Sequence, residues 1–364
     1  MEKIIQVEPW IDNSELIQLK RIIESTYVTE SQLTKEFEEL TKKYTNSKYA
    51  LSVCNGTAGI FCALKALGIK NDDEVLIPNI TFIASATPVI LAGAKIRLID
   101  VDPKTACIDI DSLRKNINSK SRVIMPVHLY GISCEMEEIL KIARDNNLFI
   151  LEDASQGVGV KYQNMHVGTF GDVGVLSYYG NKTITTGEGG IVLSSNKELM
   201  DKVYQLKNHG RMTKGTFIHD SIGWNFSFTE MQAAIGISQM QKLDSIINKK
   251  LNLFNKYLKE IKSSKIFMKK APKNTTSVVH WFSNIYTDDA KKLQEYLKIQ
   301  NIPSRRVFYP LNLQPCLKGC ENVLNINDEF QGSSKAFKEI LSLPSSILMS
   351  DEQFRHIIKT LNSY

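Results

Sequence analysis

A largely parallel α/β sheet of about seven strands, covered by helices on both faces and followed by a smaller C-terminal α/β domain, is the fold class this chain predicts. Short apolar runs alternate with stretches of helical periodicity between residues 49 and 194, the pattern of repeated strand, turn and helix. A chain of 364 residues with 43% hydrophobic content can bury a large core and divide into two domains. Polar clusters follow three of the apolar runs, at the strand ends where ligands of parallel sheets bind.

Thr29 and Gln32 have the spacing of a capping box, and Leu33, Phe37, Leu40 and Tyr44 recur at helical intervals, so a helix is expected from about residue 30 to Asn46. Tyr49 to Val53 reads as a strand and Asn55-Gly56-Thr57 as a turn. Ile60, Phe61, Leu64 and Leu67 form the buried stripe of a helix that Gly68 can end. Strands follow at 74–78, 96–99, 122–127, 148–151, 173–177 and 190–193, with helices near 84–92, 110–117 and 136–146. Thr229 and Gln232 open a long helix expected to break before Leu258. From about residue 245 the composition shifts, giving a large domain over 1–244 and a small one over 245–364, with helices at 288–298 and 351–361.

Composition narrows the function classes. The first ten residues lack the apolar run of a signal peptide, and no stretch approaches the roughly 18 apolar residues of a membrane helix, so a cytoplasmic location is expected. Six dispersed cysteines suit reduced thiols, and Cys316 and Cys320 lack the second pair a zinc site requires, so no metal is expected. A net charge of +6, spread along helices such as Lys242 to Lys250 without interleaved aromatics, argues against nucleic acid and suits a phosphorylated small substrate.

Lys182 stands in a Gly/Thr-rich loop between two apolar runs. It is either a solvated loop lysine or an amine that forms a Schiff base with an aldehyde. A phosphate loop is a near miss, because five residues separate Gly174 from Gly180 and Asn181 precedes the lysine. Gly56 and Thr57 at a helix N-terminus are an ordinary cap or a phosphate cup. Asp153 follows a run of buried type, so its carboxylate either caps a strand end or meets a cation such as a protonated pyridine nitrogen. Phe82 packs in the core or stacks on a ring. Schiff-base lysine, pyridinium carboxylate and phosphate cup are together the parts that pyridoxal 5'-phosphate (PLP) requires.

Five ordered motifs carry a resemblance: Asn55-Gly-Thr57, Glu152-Asp153-Ala-Ser-Gln156, Gly168-Thr-Phe-Gly-Asp172, Gly180-Asn-Lys182-Thr-Ile-Thr-Thr-Gly-Glu-Gly-Gly190 and Gln232-Ala-Ala234. In order and spacing they resemble the sugar aminotransferases of the DegT/DnrJ/EryC1/StrS family over nearly the whole chain, and the lysine motif is most similar to that of the GDP-perosamine synthase branch. The resemblance implies a PLP-dependent transferase of fold type I. It implies a homodimer with shared active sites, L-glutamate as amino donor and a keto-sugar as acceptor. Lys182 would carry the cofactor and shuttle protons, Asp153 would pair with the pyridine nitrogen, Gln156 would lie near the ring hydroxyl, and Phe82 would stack. Gly56, Thr57 and Ser177 would hold the phosphate, with Asn225 reaching it from the other subunit. His128 and Tyr309 are candidate substrate contacts. A related dehydratase branch has histidine at the position of Lys182, so the lysine favours transamination.

Two positions depart from the family pattern: Ser227 where arginine is common and Asn312, a third candidate substrate contact, where histidine is common. They leave open a smaller phosphorylated ketone in place of a nucleotide-linked 4-keto-6-deoxyhexose. A non-catalytic PLP-binding regulator is the remaining alternative.

Overall fold

The computed structural model describes residues 2–213, 215 and 217–364. Seven strands form the central sheet, in the spatial order Tyr49–Val53, Gly190–Ser194, Val173–Ser177, Phe149–Asp153, Ser121–Ile124, Glu74–Pro78 and Lys95–Ile99. Gly190–Ser194 pairs antiparallel with both its neighbours and the other pairings are parallel, so six strands run one way. Every residue of Glu74–Pro78, Val173–Ser177 and Gly190–Ser194 is buried. That is why these runs read as continuous apolar stretches and not as alternation: helices cover both faces.

Register places the chemistry. Val53 and Ser177 both pair with Gly190, so the turn after the first strand lies beside the end of Val173–Ser177. Asp153 pairs with Val175 one strand further in. The strand ends that carry Asn55, Asp153 and Ser177 therefore share one edge of the sheet.

Several expectations need correction. The helix expected over 84–92 is split into a 3-10 turn, Ile83–Ser85, and a short helix, Thr87–Leu91, with Pro88 in its first turn; proline fits there because a first-turn amide needs no intrahelical partner. The Thr29/Gln32 capping box does not form. Helix Gln32–Thr45 starts from Ser31, and the amides of Ser31, Leu33 and Thr34 donate to the Glu230 carboxylate at 2.8, 2.9 and 2.9 Å. A cap supplied from 196 residues away leaves no local signature. The Thr229/Gln232 box does form, but its helix, Glu230–Glu260, runs without the expected break, and residues 244 and 245 lie inside it. Helices Asn13–Ser25, Lys197–Lys207 and Gln331–Glu339 were not legible in the pattern.

Ser283–Tyr286, Ile340–Leu343 and Arg305–Arg306 form a second, antiparallel sheet flanked by helices Ala290–Ile299 and Asp351–Asn362. Its core gathers Ile285, Leu293, Leu297, Leu341, Ile357 and Leu361, together with Ile4 from the start of the chain. Among the described residues no helix is long and apolar enough to cross a membrane.

Candidate active site

Lys182 sits in the turn that leaves Val173–Ser177. The Lys182 amide donates to the Tyr179 carbonyl at 2.9 Å, and the Thr186 amide returns to the Tyr178 carbonyl at 2.9 Å, so the loop is closed on itself. The Lys182 Nζ lies 4.2 Å from the centroid of the Trp281 ring. Burial pushes this amine down to about 8, opposed by the negative charge of Asp153. A solvated loop lysine would show neither feature, and an amine titrating near neutrality is what nucleophilic chemistry requires.

Asp153 is 4% exposed. Its Oδ2 accepts from the Ser85 hydroxyl at 2.6 Å, its Oδ1 from the Ser155 amide at 3.1 Å, and Ser85 in turn contacts the Thr81 hydroxyl at 2.7 Å. Among the described residues no ion pair involves Asp153. A buried carboxylate with two neutral donors, acting electrostatically on the Lys182 amine, fits a site that receives a further positive group. Ser85 and Thr81 belong to this site and sequence reading missed them; their only signal is the Thr81-Phe82-Ile83-Ala-Ser85 run around the ring-stacking candidate.

Gly56 opens helix Gly56–Ala66, and the Asn55 side chain takes the Ala58 amide at 2.9 Å, which leaves the amides of the first helical residues facing outward. A Cβ on Gly56 would stand 3.3 Å from both Ser155 Oγ and Ser177 Cβ. Helix end, two hydroxyls and a position where any side chain would crowd make a cradle that fits a phosphate. Thr57 is exposed at the same helix end and Ser177 is buried beneath it.

Phe82 is 54% exposed, with its ring 5.8 Å from Phe308, so it is not a core residue. Gln156 is buried, and its Oε1 accepts from the Tyr130 amide at 2.8 Å, where Tyr130 is held at φ 54°. Tyr130, Phe308 and Trp281 are stacked or tilted against one another at 5.6 to 6.5 Å, forming an aromatic wall beside Lys182.

The other candidates are placed differently. His128 is fully buried; its Nε2 contacts Glu152 Oε2 at 3.0 Å and its Nδ1 accepts from the Cys134 amide at 3.2 Å, which leaves no ring nitrogen for a substrate. Glu152 also accepts from the amides of Gly168, Phe170 and Gly171 at 2.6, 2.7 and 2.8 Å. Two of the sequence motifs are thus one structural unit, with Glu152 holding the glycine turn while its neighbour Asp153 faces the site. Asn312 exchanges bonds with the buried Asn79: its Oδ1 accepts from Asn79 Nδ2 and its amide donates to Asn79 Oδ1, both at 2.9 Å. Tyr309 is exposed, with its ring 5.3 Å from Phe337. Asn225 is exposed, and its Oδ1 accepts from the Ser227 amide at 3.3 Å while the next carbonyl, of Phe226, accepts from the Cys54 amide.

Known proteins share this arrangement of chain. The GDP-perosamine synthase of Escherichia coli O157:H7 is 33% identical over 370 residues, covering 100% of this chain and 99% of its own. The UDP-4-amino-4,6-dideoxy-N-acetyl-beta-L-altrosamine transaminase of Campylobacter jejuni is 32% identical over 310 residues, covering 84% and 75%. Among solved structures, a DegT DnrJ EryC1 StrS aminotransferase from Brucella abortus is similar with a TM-score of 0.89 at 26% identity, covering 96% of this chain and 95% of that one. The mostly parallel seven-stranded α/β fold is that of the PLP-dependent sugar aminotransferases. Since the DegT/DnrJ/EryC1/StrS aminotransferase family matches residues 9–362, the chain belongs to that family and is an aminotransferase.

Proposed function

We propose that the chain moves the amino group of L-glutamate onto a keto-sugar, a nucleotide-linked 4-keto-6-deoxyhexose, for surface polysaccharide synthesis, with PLP as cofactor. The observation that carries this reading is a single edge of the sheet holding a depressed-pKa lysine, a buried carboxylate and a phosphate-sized cradle. When bound, PLP supplies an electron sink for negative charge at the carbon that bears the amine.

The chain supplies the rest. Gly56 and Thr57 amides, with Ser177, bind the phosphate at the positive end of the helix. Asp153, fixed by Ser85 and the Ser155 amide, keeps the pyridine nitrogen protonated. Phe82, exposed at this edge, would stack on the cofactor ring. The Lys182 Nζ would take a proton from the amino donor's carbon and later return one to the acceptor. Donor and acceptor use one site in turn, so the kinetics are ping-pong. Asn225 of a second copy reaches the phosphate, which makes the working unit a homodimer.

A panel of nucleotide-linked keto-sugars assayed beside short keto-phosphates tests the acceptor. Preference for the nucleotide sugars is expected. Turnover confined to the short keto-phosphates overturns this acceptor and favours the smaller ketone raised by Ser227 and Asn312.

A further inference from the structure

We propose that Trp281 is a positioning residue for the Lys182 amine, holding it by an indole face and fixing the backbone that carries it. The proposal rests on the reading of Lys182 as the reactive amine, but its contacts stand apart from any reaction. The Nζ lies 4.2 Å from the Trp281 ring centroid, and the indole N–H donates to the carbonyl of Asn181, the preceding residue, at 2.6 Å. One side chain thus grips both ends of the lysine: the amine by its π face, the main chain by its hydrogen bond.

Trp281 is itself held from behind. It is 4% exposed, packed on Phe282 at 4.5 Å and on Tyr130 at 6.2 Å. The segment bearing it docks onto Gly131, where φ is 82° and a Cβ would come within 1.7 Å of the Val279 carbonyl oxygen. Only glycine lets the two backbones approach so closely. Tyr130, the residue before that glycine, has its amide tied to Gln156 at 2.8 Å and its hydroxyl accepting from the Phe308 amide at 3.2 Å. The position of the amine is therefore set through Trp281, 100 positions after Asn181, and through the turn at Tyr130 and Gly131 on which that segment rests.

The indole covers one side of the Nζ of the half-buried Lys182. Asp153 is the charged group that acts on this amine, and it favours the protonated form; burial opposes it and wins, leaving the titration near 8. A cation over an indole face is attracted by the ring, which also favours protonation. Loss of the ring therefore has two opposed effects, and re-entry of water is the larger.

The test uses cofactor-free protein, so it reads the amine without turnover. Competitive acylation with mass spectrometry gives the Lys182 titration midpoint; wild type is expected near 8, Trp281→Phe within about half a unit of it, and Trp281→Leu about one unit or more higher. A second measurement needs no change at Trp281. The tryptophan emission of wild type titrates with the Lys182 amine, and this component disappears in Lys182→Met. With PLP loaded, Trp281→Leu lowers turnover by roughly tenfold with little change in the donor KM, because the amine still binds but is misplaced. An unchanged midpoint in Trp281→Leu, or an emission titration that survives Lys182→Met, overturns the assignment even if the enzyme transaminates. Both results as expected in a protein without transaminase activity would uphold the positioning role and overturn the proposed function.

Discussion

Asp153 shows what a single residue's position can and cannot disclose. The apolar run before it marked the carboxylate as buried, and the structure buries it, but its donor Ser85 lies 68 residues earlier on a 3-10 turn. Nothing local to either residue announces the pair. Ser85→Ala leaves one carboxylate oxygen without its donor, so turnover is expected to fall about fivefold to tenfold, the equivalent of roughly 1 kcal/mol. Stopped-flow measurement of the glutamate half-reaction checks this; an unchanged rate removes Ser85 from the site. Trp281 was missed for the same reason, since its contact with Lys182 spans most of a domain. Asn312 was legible as unusual but not as structural, because its partner Asn79 is buried at a strand end 233 positions away.

Elements with local signals were read well: Tyr49–Val53, Glu74–Pro78, Met136–Asn146 and Val173–Ser177 fall where periodicity and turns put them. Those set by tertiary contacts were not. Helix Gln32–Thr45 takes its cap from Glu230, whose carboxylate accepts three amides and the Thr34 hydroxyl. Glu230→Ala strands those donors in a buried place and is expected to cost about 2–3 kcal/mol in urea unfolding; a loss below about 0.5 kcal/mol would show that the helix does not depend on this cap.

Helix Glu230–Glu260 also carries a liability. Lys250 is 4% exposed beside His280, and burial pushes its amine down to about 8 from 10.5. Between those values the unfolded chain binds more protons than the folded one, so this group makes stability rise with pH from about 8 towards 10.5. Below 8 the full penalty is present. Lys250→Met is thus expected to stabilise the protein at pH 7 by about 1–3 kcal/mol, and its advantage should shrink by pH 9.5. Unfolding curves at the two pH values decide it; an advantage that does not change with pH contradicts the buried-amine account.

At the scale of the whole molecule, alternation of strand and helix was enough to foresee a mostly parallel sheet, whereas strand order and the reversed strand Gly190–Ser194 were not, since sequence periodicity carries no direction. Surface residues speak to assembly. Phe217, Ile218 and Ile222 are 89%, 76% and 82% exposed, in the stretch just before Asn225, and apolar side chains gathered on one exposed segment mark an interaction surface. A homodimer sharing its sites would cover them. Sedimentation is expected to give twice the chain mass, and Ile222→Asp to give monomer with weakened PLP binding; a monomeric wild type with full activity contradicts the shared site.

The covalent tie between the Lys182 amine and PLP is the claim from which the mechanism follows. Borohydride reduction of the PLP-loaded protein, then peptide mapping by mass spectrometry, tests it most directly. One reduced pyridoxyl phosphate group on the peptide containing Lys182 is the predicted result. The same group on another lysine, the buried Lys250 included, or no labelled peptide at all, would contradict it.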